Sequence, residues 1–473
     1  MKLAARPRHL VAGLGIAALM VGIAGCSSPA DRQEGPAPEG AGQPTTTSSD
    51  PAIAALLEEV QGKSDLEALA FFESLDDMDL SDAQVIDFFV NLPLSDANQE
   101  IYDLYNSRGF ANGAEAYPRA EMVDGFEWQS GMGTQITGPF TNQALKLPFS
   151  DEYIPLPEGP IGDPDETYTI GLLSGGLSDA WIANYQDSVG YEAARHENVT
   201  LDVRDYNFDM AKYSTEMDAL IAQQVDAIVT WPMVESSSAA PVQRAEEAGI
   251  PVITADRTSG YKDVTSRVTG NFPANGAQNA MYLVWKLAQE GGGEAVDGNV
   301  VVLGKPAGST ADNTRGGFFL KVLSYFPGIE ILKYENIDDN RQASAEAAQN
   351  AFATYDNIDA IFGADSNKAA VAAQAAEQAG RMTRANGEPL IIMSTDDAKE
   401  IFTLLDNGQV SVNTPYTPLI GDVQMRVALN VLAGNEVPRD VATPNIPMVT
   451  KDGVKIFGLQ TLTPEAWFEY TFG

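Results

Sequence analysis

Four side chains at the ends of predicted elements carry the chemistry this chain could do. Asp256 and Arg257 stand side by side at the end of the apolar run Pro251–Ala255, so both can leave the strand at one end. Asp179 can cap a helix that follows the strand Ile170–Leu173 and the turn Ser174-Gly175-Gly176, and Trp181 lies two residues on. A carboxylate accepts hydroxyl protons, a guanidinium donates paired N–H groups, and an indole offers a flat apolar face. Such a set suits holding a small polar solute, and nothing marks an acid–nucleophile pair. Cys26 is the only cysteine and His9 and His196 the only histidines. An intrachain disulfide and a Cys-rich metal site are therefore excluded, and zinc chemistry and a His-dependent triad lose their main ingredients.

These side chains need elements that bring them together. The spacing predicts strands at Ile170–Leu173, Thr200–Tyr206, Ala227–Trp231, Pro251–Ala255 and Val264–Gly270, with helices at Met210–Gln223 and Ser237–Ala248. The units then restart with a helix near 274–289, strand Asn299–Gly304, helix Thr314–Phe326, strand Glu330–Tyr334 and helix Ala343–Phe352. Strand Asp359–Gly363, helix Asn367–Ala379, strand Leu390–Ser394 and helix Ala398–Asp406 complete the second set. This alternation is the signature of a parallel α/β sheet. Runs such as Val300–Val302 suit strands covered on both faces, and two successive sets of units imply two similar lobes. Ligands of such sheets sit beyond the carboxyl ends of the strands, which is where Asp179 and Trp181 fall.

At 473 residues the chain exceeds one domain, and it carries 44% hydrophobic residues and a formal charge of −37. That field repels phosphate backbones, so no nucleic acid is expected as a partner; it suits an exported protein with a solvated acidic surface. Residues 1–26 have a basic start (Lys2, Arg6, Arg8), an apolar run Val11–Gly25 and then Cys26, the layout of a secretory signal peptide. The run is short for a bilayer span of ~20 residues, and without the leader the charge deepens to about −40. Ser27–Asp50 has no aliphatic residue larger than alanine, and is expected to be a disordered tether.

From Pro51 to Arg108 the pattern is helical. Ser64-Asp65-Leu66-Glu67 and Ser81-Asp82-Ala83-Gln84 fit the capping box, followed by Leu66, Leu69 and Phe72 on one face and Val85, Ile86 and Phe89 on another. Asp77–Ser81 suggests a calcium loop, but Asp82 and Phe88 stand where glycine and glutamate are needed, so no metal is expected. Phe110–Glu166 is rich in Gly and Pro, its aromatics (Phe126, Trp128, Phe140, Phe149, Tyr153) read as packing residues, and Leu156–Glu166 reads as a linker.

Between Tyr168 and Lys455 a series of motifs occurs in order: Asp179-Ala180-Trp181, Pro251-Val252-Ile253-Thr254-Ala255-Asp256-Arg257, Ala307-Gly308-Ser309-Thr310 with Arg315-Gly316, Asp359 to Asp365, and Ser394-Thr395-Asp396-Asp397. Together they resemble the ribose-binding type of periplasmic sugar-binding protein (the type I periplasmic binding protein fold), the receptor subunit of an ABC importer. Ile23-Ala24-Gly25-Cys26 resembles the bacterial lipobox. The first resemblance implies an α/β fold of two Rossmann-like lobes with parallel sheets joined by a three-crossing hinge, plus an N-terminal mainly helical extension outside it. The domains expected are a signal peptide (1–26), a tether (27–50), the extension (51–166), lobe 1 (167–271 with 417–446) and lobe 2 (272–416 with 447–473). Crossings are expected near Phe272, at Asn413–Pro418 and near Pro444–Val449. The lipobox implies cleavage before Cys26 and lipidation of its sulfur, giving an extracytoplasmic monomer anchored to the outer face of the cell membrane.

The resemblance implies ligand residues as well. Asp396 stands where the family places an acidic sugar ligand, Asp365 where asparagine is frequent, and Trp181 at the stacking position, beside Asp256 and Arg257. Three places depart from the ribose type. Asp179 falls where it has asparagine, Asn313 where it has a ligand arginine (Arg315 keeps a later one), and Thr414-Pro415-Tyr416 replaces a glutamine-containing stretch, so Tyr416 or Asn413 is a candidate contact. With more carboxylates and fewer cations, the expected solute is a sugar or polyol not restricted to ribose, an amino-bearing solute included. The function implied is a receptor lipoprotein, without enzymatic activity or cofactor, that passes its solute to ABC permease subunits. The alternatives are a ligand-presenting sensor for a membrane receptor, which the helical extension favours, and a secreted glycoside hydrolase using carboxylates such as Asp256 and Asp396. A repressor of similar core is disfavoured by the leader, the acidity and the lack of a basic helix-turn-helix.

Overall fold

The computed structural model describes Ser48 and residues 50–111, 150–176, 179–443 and 446–467. The leader, Cys26, almost all of the tether, Phe126, Trp128, Phe140, Phe149 and the side chain of Tyr153 lie outside the described residues. Lobe 1 is built on β1 (Tyr168–Ser174), β2 (Val199–Asp205), β3 (Ala227–Thr230), β4 (Val252–Ala255) and β5 (Ser266–Thr269). Lobe 2 follows with β6 (Gly298–Gly304), β7 (Ile329–Asn336), β8 (Ala360–Gly363), β9 (Ile391–Thr395) and β10 (Val412–Thr414). β11 (Asp440–Ala442) then joins the first sheet and β12 (Val449–Thr450) the second. Among the described residues this gives the orders β2-β1-β3-β4-β5-β11 and β7-β6-β8-β9-β10-β12, every pair parallel except β12 on β10. β3, β4 and β8 are buried throughout, as strands covered on both faces must be.

Helices between the strands begin on oxygen-bearing side chains. Asp179 caps Ala180–Ala193, Asn271 caps Phe272–Glu290, Asn340 caps Arg341–Thr354 and Asp365 caps Ser366–Gln378, each accepting N–H groups of the first turn. In a β-α unit the strand's carboxyl end and the next helix's amino end share one edge of the sheet. Caps therefore land at the same rim as the strand-end residues.

The chain passes between the lobes three times: after β5, after β10, and between β11 and β12. Buried amides on Phe272–Glu290 tie these passages together. Asn275 Nδ2 donates to Pro415 O (3.1 Å), Asn279 Nδ2 to Thr414 Oγ1 (2.9 Å), and Gln278 Oε1 accepts from Met448 N (2.7 Å). Gly270 N donates to the Tyr416 hydroxyl (3.0 Å). A Cβ at Gly270 would stand 2.3 Å from the Tyr416 ring, so only glycine fits this passage.

The extension consists of α1 (Pro51–Val60), α2 (Asp65–Ser74), α3 (Asp82–Asn91) and α4 (Gln99–Ser107), and its apolar face is continuous with the core of lobe 2. Phe72 is completely buried among Phe89, Phe457, Tyr325 and Phe326, with ring centroids 4.9 to 6.0 Å away. The Ser81/Gln84 capping box forms, but Ser64 makes no capping bond. Asp65 instead takes a left-handed φ of 48° and gives its N–H to Tyr325 O (2.8 Å). That turns Leu66 outward, 42% exposed, and Phe71 fills the buried face instead. The stretch Leu156–Glu166 is no free linker. Leu156 and Ile161 enter the lobe 1 core, Asn198 Nδ2 donates to Ile161 O (2.9 Å), and the buried Arg426 donates to Ile154 O (2.7 Å). Among the described residues no helix is long and apolar enough to cross a membrane.

Because the extension and lobe 2 share one core, Phe72→Ala should destabilise the whole lobe, by about 3–5 kcal/mol. Denaturant melts followed by Trp fluorescence and by far-UV circular dichroism check this. A loss confined to the helical signal would mean that the extension unfolds independently.

Candidate functional site

A cavity of about 650 Å³ lies where the strand ends of the two lobes face each other. Asp179, Trp181, Asp256, Arg257, Asp365, Asp396 and Tyr416 all line it. Asn313 does not. It sits half-buried in a π-helical turn, Asp312–Gly316, and the wider turn brings Arg315 to the cavity in its place. Asn413 is fully buried off the wall, its Nδ2 donating to Asp396 O (2.9 Å).

Lobe 1 contributes a compact set. Asp179 Oδ1 accepts from Trp181 N (2.8 Å), which fixes the indole at the first helical turn. Trp181 Nε1 donates to Tyr416 O (3.2 Å), and the Tyr416 ring stacks on Phe272 at 4.4 Å. Asp256 accepts from Trp231 Nε1 (2.6 Å), while Arg257 lies 4.6 Å over the Trp231 ring and donates to Met233 O (2.9 Å).

Lobe 2 supplies most of the charge. Arg315 pairs with Asp396 and donates to Ala364 O (2.8 Å). Lys305 pairs with Asp339 and with Asp365 (2.8 Å), and Lys368 with Asp365 (2.6 Å). The lobes meet where Arg257 Nη2 donates to Asp339 Oδ2 (2.8 Å). Beside that contact, Thr258 N donates to Thr310 Oγ1 (3.0 Å), which in turn donates to Glu235 Oε1 (2.6 Å). Burial alone would raise Asp339 and Asp365 and lower Lys305. Their mutual attraction outweighs it, so both carboxyls lie below, and Lys305 above, their ordinary ranges.

One device is repeated in both lobes. Asp256 follows β4 and Asp396 follows β9, each the fourth strand in its set, with φ of 67° and 75°. Each gives its N–H to the next strand of its sheet, Val268 O and Thr414 O, and each carboxylate meets a guanidinium, Arg257 (3.4 Å) and Arg315. Such left-handed conformations cost non-glycine residues energy and gather at functional sites. Sequence reasoning missed Phe208, Trp231, Phe272, Lys305, Asp339, Lys368 and Asp397 as lining residues. Trp231, Lys305 and Asp397 follow strand ends, so the rule that located Asp256 could have found them; Asp339 and Lys368 carried no such signal. Arg257, Lys305, Arg315 and Lys368 all hold carboxylates already. These four buried cations are therefore already engaged, and among the described residues the exposed Lys399 is a lining cation without a carboxylate partner. Among the described residues no cluster of His, Cys, Asp or Glu is placed to hold a metal ion.

A family model described as a periplasmic binding protein domain matches residues 170–436. The chain is similar to the xylitol-binding protein of Mycolicibacterium smegmatis, 26% identical over 272 residues, covering 56% of this chain and 72% of that protein. It is also similar to the ribose import binding protein of Bacillus subtilis, 22% identical over 278 residues, covering 59% of this chain and 86% of that protein. Among solved structures, an ABC transporter solute binding protein from Bacillus halodurans with bound myo-inositol superposes at a TM-score of 0.55. It is 22% identical and covers 61% of this chain and 96% of its own.

Asp396 has a second acid beside it. Asp397 is 2% exposed, its Oδ1 accepting from Tyr416 N (3.0 Å) and its Oδ2 buried without a hydrogen-bond partner. Burial, and then the charge of Asp396, push it up to about 8 from an ordinary value of 3.8. The folded state thus holds this proton more tightly than the unfolded chain. The favourable contribution is complete below the unfolded value and is lost as pH rises through about 8. Asp397→Asn keeps the acceptor and removes the charge. Thermal melts should show the variant more stable than the wild type at pH 9 by more than about 1 kcal/mol, and equal to it at pH 4. Parallel pH profiles would show that Asp397 does not titrate in this way.

Proposed function

The chain belongs to the periplasmic binding protein domain family, and we propose that it is an extracytoplasmic receptor that captures a sugar or polyol between its lobes. In this reading Cys26 carries the lipid that anchors the protein to the outer face of the membrane, residues 27–50 give it reach, and the loaded form docks on ABC permease subunits. It binds solute without converting it. The supporting observation is the make-up of the cavity: carboxylates to accept hydroxyl protons, aromatic rings to meet C–H faces, and buried cations (Arg257, Lys305, Arg315 and Lys368) already paired. Its volume of about 650 Å³ fits the usual range for small-molecule sites, roughly 300–1,000 Å³. The relatives named for xylitol and ribose point to the same class of ligand.

The mechanism follows from the placement of the groups. With the lobes apart, solute reaches Asp256 and Trp181 on one side and Asp396 on the other. Hydroxyls that bond to both walls favour the closed arrangement, in which Arg257 reaches Asp339. The relatives are named as binding proteins, which disfavours a hydrolase built on Asp256 and Asp396.

A thermal-shift panel of xylitol, D-ribose, D-fructose and myo-inositol tests the reading. A bound member at a hundred times its Kd should stabilise the protein by about 2.7 kcal/mol. No shift with any sugar or polyol would refute it. Arg257→Ala and Asp396→Ala should each weaken the best binder by about 100-fold or more, the cost of removing one partner of a buried charged contact. Unchanged titration calorimetry in either variant would place the solute elsewhere.

A further inference from the structure

We propose that Arg108, at the end of α4, is a positioning residue for the cavity: it fixes the β6–β7 edge that carries Lys305 and the turn that carries Arg315. The proposal rests on reading the cavity as the solute site, and it gives the extension a part in binding.

Arg108 does not line the cavity. Its guanidinium lies 3.8 Å from the ring centroid of Tyr334 on β7, with Nη1 donating to Asn336 Oδ1 (2.7 Å) and Nη2 to Tyr334 O (2.7 Å). The Asn336 amide, oriented by that bond, donates to Lys305 O (2.7 Å) and to Asp312 Oδ2 (2.6 Å). Tyr334 Oη donates to Asp312 Oδ1 (2.8 Å). Asp312 begins the π-helical turn that ends in Arg315 and Gly316. A Cβ at Gly316 would stand 1.9 Å from the Tyr334 hydroxyl, so the ring is seated directly on that turn. Phe110, 5.8 Å from Tyr334 and 5.7 Å from Tyr105, closes the outer side.

Two hydrogen-bond steps therefore separate Arg108 from the main chain of Lys305, which pairs with Asp339 and Asp365. A parallel route through Asp312 reaches Arg315, which pairs with Asp396. Asp312 is 2% exposed, and the groups facing it are Tyr334, Asn336, Arg108 and the Lys305 N–H. Burial pushes its carboxyl up to about 6, with the hydrogen bonds and the Arg108 charge opposing that rise. Without Arg108 the carboxyl takes up its proton at higher pH, and the bonds it accepts from Tyr334 and Asn336 weaken.

The test uses the full chain with Arg108→Ala, Arg108→Lys and Asn336→Ala, titrated with xylitol and D-ribose from pH 5.5 to 8.5. Lys305 and Arg315 backbone amide resonances are recorded without ligand. Asn336→Ala cuts the relay while leaving Arg108 on the Tyr334 ring, so the proposal stays testable if Arg108→Ala does not fold. Expected are a tenfold or greater loss of affinity in both alanine variants and partial recovery with lysine. The Arg108→Ala loss should also begin at higher pH than any decline in the wild type, and both amide resonances should move. Wild-type affinity in the alanine variants, or a loss equal at every pH with unmoved resonances, overturns the proposal. If the wild type binds neither probe, the solute reading is what suffers. The resonances then decide the positioning claim alone, and unmoved signals overturn it.

Discussion

The ion pair between Arg257 and Asp339 is the contact on which the arrangement of this molecule turns. Both groups are nearly removed from water, and they belong to different lobes. Burying an ion costs several kcal/mol, and attraction to one partner seldom restores more than that. Here the shell is completed by others: the Trp231 ring and Met233 O around the guanidinium, Lys305 and Lys368 around the carboxylate. Each ion's other partners lie in its own lobe, so separating the lobes would break only the Arg257–Asp339 contact, and closing them would restore it.

That contact requires a hinge that does not drift. The three passages between lobes carry no regular ladder, so their polar groups must be satisfied by side chains. Asn275, Gln278 and Asn279, on one helix, meet that need. Amides can both donate and accept, which suits irregular backbone, and they carry no charge that would titrate. The bonds fix where the passages run between the two sheets.

Much of this was legible in the chain. β-branched runs and glycine turns marked the strands because strands covered on both faces need uninterrupted apolar sequence, and their ends located Asp256 and Arg257. Elements beyond Asp406 were not resolved in sequence: β10 to β12 are two or three residues each, and Ile420–Leu432 buries polar residues such as Asp422, Gln424 and Arg426 along with its apolar ones. The resemblance puts Asn313 where a ligand arginine stands, but in the structure Arg315, further along the same π-helical turn, lines the cavity and Asn313 does not. Leu66 failed because a tertiary bond to Tyr325 O reset the backbone one residue earlier. Asp339 and Lys368 were illegible for a different cause. Charged residues are common near helix starts, and only the buried ion pairs made in the fold, Asp339 with Arg257 and Lys305, and Lys368 with Asp365, distinguish these from solvated ones.

The segments outside the matched region are not independent of it. The hairpin Lys455–Gln460 returns from the far end of the chain and lies against α2 and α3. There Lys455 Nζ donates to Asp76 O (2.5 Å) and Gly458 N to Asp76 Oδ1 (2.6 Å). Phe457, at φ 48°, packs its ring against both Phe72 and Phe89. Neither piece could bury its aromatics alone: four short helices lack a partner for their apolar face, and a two-stranded hairpin is marginal in water. Each supplies what the other lacks, and Tyr325 and Phe326 of lobe 2 fill the space between. An extension that was only a spacer would have no reason to share a core with both ends of the lobe it adjoins. Its apolar content makes it a structural layer of lobe 2, packed into the same core as β6 and β7.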